Sequence, residues 1–486
     1  MKQKPKIIQV LGTSSSSGKT SIALSLCRHL SDIGFHVAPF KSVNMSLNSI
    51  AIDKGREISR SVWLQAMAAR SDPEYQMNPV LLKPEGEGKS QVIVDGMSRG
   101  VMTIDEYHRF MMNELPGIIK RDLDHLIENY DVVIAEGAGS TAEINLQDWD
   151  YANIKISSLY DTPAILVSDI ERGGSFASIY GTLKLMLRSD LVRWIIINKM
   201  RGDASLLLGG IEKIEELTGK KFIGVVPFLD GIILPGEDSL DYHFRGEHHS
   251  RVAVIRYPHM ENYSDVDPLR FAGIPFTFVD ERNSFSIENA DIIILPGSKN
   301  VPADLDYLRR SGLAEKIIAS AHKGKRILGI CGGYQILGRD ITLFGRGREQ
   351  TLKGLSLLKI STTYEDKKTV GRLIGSFAPV STGLSSPVSG YEIHYGKIRE
   401  NAELPLILLN GEDGEVSEGA VSPNRRIIGT NLHGILENRD FLEWFLNVSR
   451  EGGWFYRVIE ENIKKVTEHV IGHLETEEIL TYLEKT

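Results

Sequence analysis

Short, continuous runs of apolar residues recur along the chain and alternate with segments in which apolar residues return every three or four positions. The first pattern is typical of strands buried on both faces, and the second of helices that pack on them. The apolar runs predict strands at residues 6–11, 36–41, 131–135, 164–168, 194–198, 222–226, 251–255, 276–279, 291–297 and 327–330. Such strands alternating with helices form parallel sheets, so the pattern predicts an α/β protein.

The first predicted strand runs into a glycine-bounded, serine-rich loop and then into a helix. The loop reads Gly12-Thr-Ser-Ser-Ser-Ser-Gly18-Lys19-Thr20, and strand, loop and helix are the context that a P-loop requires. In a P-loop, backbone N–H groups surround phosphate oxygens, the lysine reaches the terminal phosphates and the hydroxyl ligates Mg²⁺. We therefore expect Thr13, Gly18, Lys19 and Thr20 to bind ATP. Five residues separate the two glycines instead of four, so the loop is a variant, and a purely structural turn is the alternative.

Charged residues follow several of the predicted strands directly. Lys41, Glu136, Asp169 and Lys199 each lie just past a strand end, where the ligand site of a parallel sheet is found. Glu136 stands where a carboxylate can hold Mg²⁺ together with Thr20. Any one of these residues can be an ordinary charged loop residue. Their convergence on one edge of the sheet favours a site.

In the second half, a buried strand ends in a cysteine between glycines. The pattern Gly329-x-Cys331-x-Gly333 has the form of a nucleophile elbow with sulfur in place of oxygen. The following helix would direct backbone N–H groups at the sulfur and favour the thiolate. The alternative is a small buried cysteine at a strand end, since cysteine is among the most buried residue types. The only other cysteine, Cys27, lies on the apolar side of a predicted helix and is expected to pack in the core.

A catalytic thiol needs a base, and two histidines compete for that role. His433, in the segment Gly429-Thr-Asn-Leu-His-Gly434, is the favoured candidate. His394 lies in the apolar and aromatic segment 390–396, which is more typical of a strand that lines a site. The loop at residues 296–300 precedes the elbow and can supply a backbone donor to an oxyanion hole.

The length, the net charge and the number of cysteines limit the class of protein. A chain of 486 residues predicts about three domains, or two large ones. A net charge of −8 argues against a general nucleic-acid binder. Two cysteines exclude a disulfide framework, and no apolar run approaches the roughly 18 residues that cross a membrane, so we expect a cytoplasmic protein. The basic residues at the start precede too short an apolar stretch for a signal peptide.

The order of motifs resembles the cobyric acid synthases, the glutamine-dependent amidoligases of cobalamin biosynthesis. The matching segments are 38–41, 44–48, 77–84, 90–94, 136–146, 172–174 and 198–203, and the resemblance runs from Ile7 to about Leu446. The P-loop variant also resembles dethiobiotin synthetase, and the second half resembles a class I glutamine amidotransferase of the cobalamin type. The sequence departs from the family at 54–60, where the family more often has Gly-Gly-Glu-Ile-Gly-Arg.

The resemblance implies a division into three parts. Residues 1–245 would be an ATP-dependent synthetase domain with a P-loop-type parallel sheet, and 250–446 a glutamine amidotransferase domain. Residues 447–486 would form a helical tail. The glycine- and histidine-rich stretch 230–250 is expected to be a solvated connection, and its histidines, which lack a spaced ligand pattern, are not expected to bind metal.

The resemblance also implies the reaction. ATP and Mg²⁺ would serve the synthetase, glutamine would supply nitrogen, and the b, d, e and g carboxylates of adenosylcobyrinic acid a,c-diamide would be amidated. The residues implied to bind the corrinoid are Lys41, Asn44, Asn48, Asn78, Lys83, Gln91, Asn145, Asp169 and Arg172. No nucleic-acid or membrane partner is expected, and the oligomeric state is left open. Cobyrinic acid a,c-diamide synthase or a similar amidoligase is the near alternative. A ParA-like nucleotide switch with an inactive second domain is the distant one.

One departure concerns the third member of the catalytic group. Most class I amidotransferases carry glutamate two residues after the catalytic histidine, and here Ile435 occupies that place. The resemblance to the cobalamin branch therefore implies a Cys331–His433 dyad. Glu437 is the candidate for orienting His433. Without a carboxylate partner, His433 is expected to be less basic and resting glutamine hydrolysis slow.

Overall fold

The computed structural model describes residues 5–86, 88–232, 234–235, 250–345, 348–411, 414–449 and 454–485. The chain divides into two compact units. The first contains residues 1–46, 58–234 and 459–486, and the second contains residues 47–57 and 235–458. Most of the predicted connection 230–250, with His243, His248 and His249, lies outside the described residues. The domain boundaries given above stay predictions.

A six-stranded parallel sheet forms the centre of the first unit, as the apolar runs predicted. Its strands, in spatial order, are Lys221–Pro227, Val192–Met200, Ala164–Asp169, Ile7–Gly12, Val132–Glu136 and Val37–Phe40. Every residue of Ile7–Gly12 is buried, because helices cover both faces of a parallel sheet. The α-helices of this unit include Lys19–Asp32, Arg60–Ala69, Ile104–Asn113, Leu115–Asn129, Lys155–Tyr160, Ser175–Leu185, Leu208–Thr218 and Glu477–Lys485. The predicted fold class of this half is confirmed.

The first unit also has a second, mixed sheet that the apolar pattern did not predict. Its strands are Val43–Met45, Val80–Gly86, Lys89–Val94 and Met97–Thr103. The first pair is parallel, and the other two pairs are antiparallel. The last strand is largely exposed, so it lacks the continuous apolar run by which the buried strands were found.

The main sheet of the second unit brings its two candidate catalytic segments together. Its strands are Phe276–Val279, Val252–Ile255, Ile292–Leu295, Arg326–Ile330, Ile427–Thr430 and Ala420–Val421, with only the last antiparallel. The strands Arg326–Ile330 and Ile427–Thr430 are parallel neighbours, and Ile330 pairs with Thr430. Cys331 and His433 therefore both follow the carboxyl ends of adjacent strands.

A mixed, mostly antiparallel sheet completes the second unit. The long strands Ile360–Phe377 and Pro387–Asn401 pair with each other, and the second carries His394, as predicted. The further strands are Asp340–Gly345, Arg348–Lys353, Ile407–Gly411 and Gly414–Glu418. Met260–Glu261 pairs separately with Gly297–Ser298. The strand Ser49–Ile52 also lies in this unit, and the chain returns to the first unit within the strand Arg56–Ser59. The α-helices are Asp267–Phe271, Ser286–Asn289, Val301–Arg310, Leu313–His322, Gly332–Leu337, Pro379–Thr382 and Arg439–Leu446.

The helix Trp454–Ile471 enters the first unit at Ile459 and packs there. Its Glu460 forms an ion pair with the buried Arg28 of the helix Lys19–Asp32. The helix Trp454–Ile471 therefore contacts the helix that follows the P-loop. Among the described residues, no helix is both long and apolar enough to cross a lipid bilayer.

Candidate active site

Cys331 lies at a strained turn between a strand and a helix. Its backbone has φ 50° and ψ −110°, a conformation that non-glycine residues rarely adopt and that occurs mostly at functional sites. The flanking glycines are needed because neighbouring backbone approaches them closely. A Cβ at Gly329 would lie 2.7 Å from Gly333 O, and one at Gly332 would lie 2.6 Å from Ser298 N. The pattern Gly-x-Cys-x-Gly therefore forms the predicted nucleophile elbow.

The loop at residues 296–300 lies against this elbow, as expected for a source of oxyanion donors. Gly333 N donates to Pro296 O at 3.1 Å, and the Ser298 backbone packs against Gly332. The Cys331 thiol donates to Ile393 O at 3.7 Å and is almost fully buried. The helix after the elbow has six residues. The oxyanion role of the loop stays a prediction.

His433 is held by a carboxylate that the sequence did not single out. Asp265 Oδ2 lies 2.7 Å from His433 Nδ1, and Asp265 Oδ1 accepts a hydrogen bond from Gly434 N at 2.9 Å. Both side chains are buried. Burial alone would lower the pKa of His433, but Asp265 and Cys331, through their charges and hydrogen bonds, raise it to about 10. Cys331, His433 and Asp265 therefore form a group of three.

This geometry corrects two expectations. The dyad without a carboxylate partner is wrong, because Asp265 stands at Nδ1, and the expected low basicity of His433 is wrong with it. Glu437 does not orient His433: it accepts a hydrogen bond from Tyr456 Oη at 2.9 Å. The rival base His394 is buried, and neither of its ring nitrogens has a hydrogen-bond partner. A carboxylate oxygen of Glu392 lies 3.7 Å from His394 Nε2.

The first unit has a separate cluster around the P-loop. Ser16 and Gly18 have positive φ values of 57° and 96°, which turn the loop back on itself. Lys19 Nζ donates to Ser14 O at 3.0 Å and to Gly139 O at 2.7 Å. A Cβ at Gly12 would lie 2.8 Å from that Nζ, so a larger residue there would displace the Lys19 ammonium group. The helix begins at Lys19, and the variant loop thus retains the strand–loop–helix geometry of a phosphate site.

The carboxylate of Glu136 is the centre of a buried polar cluster next to this loop. Its Oε1 accepts hydrogen bonds from Thr20 Oγ1 at 2.8 Å and from Lys41 Nζ at 3.0 Å. Its Oε2 accepts one from Gln65 Nε2. A hydroxyl and a carboxylate in contact are hard oxygen donors of the kind that Mg²⁺ prefers, with water and phosphate completing its shell. In the part of the chain that the structure describes, no group of three or more His, Cys, Asp or Glu side chains could hold a metal ion.

Residues after two neighbouring strands support the same loop. Lys199 Nζ donates to Ser16 O at 2.7 Å and lies 2.9 Å from Asp169 Oδ2. Asn198 Nδ2 donates to Ser17 O at 3.0 Å. The structure therefore brings Asp169 to the P-loop edge, together with Thr13, whose hydroxyl lies 3.3 Å from Ser168 Oγ. Asn198 and Gln65 were not among the expected site residues.

The remaining residues that were expected to bind substrate have varied surroundings. Asn44 Nδ2 donates to Ser61 Oγ at 3.2 Å, and Asn78 is bonded to backbone groups through both ends of its amide. Lys83 and Gln91 are buried and face each other across two antiparallel strands. Asn145 and Arg172 are exposed.

Asn48 differs from all of these because it lies in the second unit. It is fully buried, and its Oδ1 accepts a hydrogen bond from Ser264 N at 3.3 Å. Ser264 directly precedes Asp265. As substrate ligands, Asn48 and the other residues of that set stay predictions.

Comparison with known proteins places the whole chain. Residues 8–239 match the CobQ/CobB/MinD/ParA nucleotide binding domain, and residues 251–441 match the CobB/CobQ-like glutamine amidotransferase domain. A "Probable cobyric acid synthase" of Picrophilus torridus is 54% identical over 90% of this chain and 92% of its own length. One of Thermoplasma acidophilum is 49% identical over 98% and 99%. The chain belongs to the cobyric acid synthase family.

Membership of the cobyric acid synthase family makes the chain an enzyme, an amidoligase with a nucleotide-binding domain and a glutamine amidotransferase domain. A third relative, a "Cobyric acid synthase" of Thermoanaerobacter sp., is 40% identical over 91% of the chain and 90% of its own length. The ParA-like switch with an inactive second domain is thereby set aside. Asp265 was missed because it lies 168 positions from His433. The only local signal was a loop carboxylate after the strand Val252–Ile255, a position that Glu261 and Asp267 share.

Proposed function

We propose that the protein amidates the b, d, e and g carboxylates of adenosylcobyrinic acid a,c-diamide with ATP and glutamine, and so produces adenosylcobyric acid. The choice of corrinoid rests on the names of the relatives. The proposal for the glutamine-dependent half of the reaction rests on the buried group of Cys331, His433 and Asp265. A strained cysteine beside a histidine–carboxylate pair is the arrangement that activates a thiol for attack on an amide.

The glutaminase chemistry follows from the positions of these three side chains. The Cys331 sulfur attacks the side-chain carbonyl carbon of glutamine, and the thiol proton passes to His433 Nε2. Asp265 holds Nδ1 and stabilises the imidazolium that forms. His433 then gives the proton to the leaving nitrogen, so ammonia departs and a thioester remains on Cys331. Water hydrolyses the thioester to glutamate and regenerates the thiol.

The synthetase chemistry belongs to the first unit. Thr13, Gly18, Lys19 and Thr20 would hold the ATP phosphates, and Thr20 with Glu136 would hold Mg²⁺. ATP supplies the phosphoryl group that converts a substrate carboxylate to an acyl phosphate, which ammonia attacks. Lys19 and backbone N–H groups of the loop neutralise charge on the transferred group. Lys41 and Asp169 lie at the same edge of the sheet and would face the substrate.

The test separates the two half-reactions. The purified protein is incubated with the corrinoid a,c-diamide, ATP and either glutamine or ammonia, and products are read by mass spectrometry. Cys331→Ala is expected to lose glutamine-dependent amidation and to keep ammonia-dependent amidation. Cys27→Ala is the matched control, because Cys27 is buried in the first unit and should affect neither route. Equal loss of both routes in Cys331→Ala would contradict the assignment.

The same assay decides between the near alternatives. Cobyrinic acid is supplied in parallel with its a,c-diamide. Four successive amidations of the diamide support the proposed substrate. Amidation of cobyrinic acid on two carboxylates only, with no reaction of the diamide, would identify a cobyrinic acid a,c-diamide synthase instead.

A further inference from the structure

The turn that carries Asp265 contacts His433 from both sides of its ring. Asp265 lies at Nδ1, and three residues earlier Asn262 places its amide nitrogen 3.3 Å from His433 Nε2. Nε2 is the atom that must accept the Cys331 proton. Asn262 is buried and has a φ of 50°, in the left-handed region, so the backbone reverses direction at this residue.

The orientation of the Asn262 amide is fixed by a backbone group. Ser49 N donates to Asn262 Oδ1 at 3.1 Å, so the oxygen of the amide faces Ser49 and its NH₂ group faces His433. A reversed amide would set the NH₂ group against the Ser49 N–H. In the neutral imidazole the Asn262 N–H therefore donates to the Nε2 lone pair, with the ring proton on Nδ1 shared with Asp265. The imidazolium that Asp265 and Cys331 favour would instead set an Nε2–H against this N–H.

This donor opposes the first step of glutamine hydrolysis. The Nε2 lone pair that accepts the Asn262 N–H is the one that must take the proton from Cys331. Asp265 favours the imidazolium, whereas Asn262 favours neutral imidazole. We propose that Asn262 is a positioning residue that restrains glutamine hydrolysis in the resting enzyme by occupying His433 Nε2. The inference rests on the proposed function, since it concerns the same dyad of thiol and base.

Three hydrogen bonds tie the turn to a short segment from the first half of the sequence. Asn262 N donates to Leu47 O at 3.3 Å, Ser49 N to Asn262 Oδ1 at 3.1 Å, and Ser264 N to Asn48 Oδ1 at 3.3 Å. Residues 47–49 follow Lys41 and Asn44 within eight positions of the chain, and both of these residues are expected to bind the acid substrate. A shift of residues 47–49 on substrate binding would move Asn262 off Nε2 and release the restraint.

The first test is resting glutamate release without ATP or corrinoid. Asn262→Gly removes the amide and tolerates the positive φ, and we expect resting turnover to rise about five-fold, equivalent to about 1 kcal/mol. The stimulation by ATP and corrinoid a,c-diamide should shrink by the same factor. Asn447→Gly is the matched control, because Asn447 has a φ of 54° at an exposed helix end and should leave turnover unchanged. Asn262→Ala serves as a second variant.

The second test is the pH profile of Cys331 alkylation by iodoacetamide, followed by peptide mass spectrometry, which needs no substrate. Freeing Nε2 favours the thiolate–imidazolium pair, so the midpoint should move to lower pH in both Asn262 variants. Other titratable groups around Cys331 and His433 are the same in the wild type and in the Asn262 variants, so they do not cause a difference in midpoint. They are Asp265, Glu261, Asp304, Glu392, Glu418, Tyr257, Tyr364 and Tyr391.

The outcomes are distinct. Higher resting turnover with a lower alkylation midpoint supports the restraint. Unchanged or lower turnover, or an unchanged or higher midpoint, refutes it. If the wild-type protein releases no glutamate under any condition, the proposed function fails, whereas an active wild type with unresponsive Asn262 variants refutes only the present inference.

Discussion

Asp265→Asn is the sharpest test of the group around Cys331. The substitution keeps the size of the side chain and removes its charge. Asp265 Oδ2 lies 2.7 Å from His433 Nδ1, inside a buried site. An amide in its place can present an N–H to Nδ1 and so favour the wrong tautomer, as well as failing to stabilise the imidazolium.

The magnitude follows from the distance between the charges. Two unit charges about 4 Å apart interact by about 4 kcal/mol at an effective dielectric constant of ~20. Each 1.36 kcal/mol is a factor of about ten in rate. We therefore expect glutaminase turnover of Asp265→Asn to fall about 1,000-fold. Alkylation of Cys331 at neutral pH should slow as well, because the imidazolium that stabilises the thiolate is lost.

The assay is glutamate release, with ammonia-dependent amidation measured on the same preparation. Ammonia-dependent amidation should be preserved, because it does not use Cys331. Asp267→Asn is the matched control: Asp267 is a buried acid of the same turn, paired with Arg270 at 3.1 Å. If Asp265→Asn keeps glutaminase turnover within ten-fold of the wild type, the carboxylate does not stabilise the His433 imidazolium as proposed.

Two further predictions concern other parts of the molecule. Lys19→Ala should lose amidation with either nitrogen donor by about two decades or more, since acyl phosphate formation precedes both routes; near-normal ammonia-dependent turnover would contradict the P-loop assignment. Burial and the nearby Glu392 raise the pKa of Glu418 from its ordinary 4.5 to about 8, so the folded protein keeps this proton where the unfolded chain has lost it. Wild type should therefore lose stability relative to Glu418→Gln between about pH 4.5 and 8, by up to a few kcal/mol, in denaturant unfolding measured at pH 5 and 8.5; a constant difference would refute this.

Much of the fold and of both sites could be predicted from local patterns. The buried parallel strands are continuous apolar runs, and the P-loop and the elbow are motifs of fewer than ten residues. The chemistry of both motifs depends on backbone conformations that the motif residues themselves adopt, such as the positive φ of Cys331 and Gly18. His433 was predicted as the partner of Cys331 although the strand before it, Ile427–Thr430, was not among the predicted strands; in the structure the two residues follow adjacent strands.

The missed features depend on contacts between distant segments. Asp265 meets His433 across 168 positions, and Ser49 meets Asn262 across 213. Neither contact leaves a periodic or local signature, because a loop carboxylate is common and Ser49 contributes only its backbone N–H. Glu437 was proposed in place of Asp265 because it is close in sequence. The long strand Ile360–Phe377, and all of Pro387–Asn401 except the segment around His394, were missed because they are partly exposed and alternate less regularly than buried parallel ones.

The discontinuity of the second unit has a consequence for dissecting the protein. Residues 47–57 supply hydrogen bonds to the turn at 262–264, and the buried Glu57 forms an ion pair with Lys368. A fragment cloned from residue 250 onward would keep every residue that the amidotransferase motif contains. It would nevertheless lack a strand of its own fold, leave Lys368 buried without that carboxylate and detach Asn262 from Ser49. A fragment that contains the whole motif would therefore not preserve the turn at 262–264, unless residues 47–57 were joined to one of its ends.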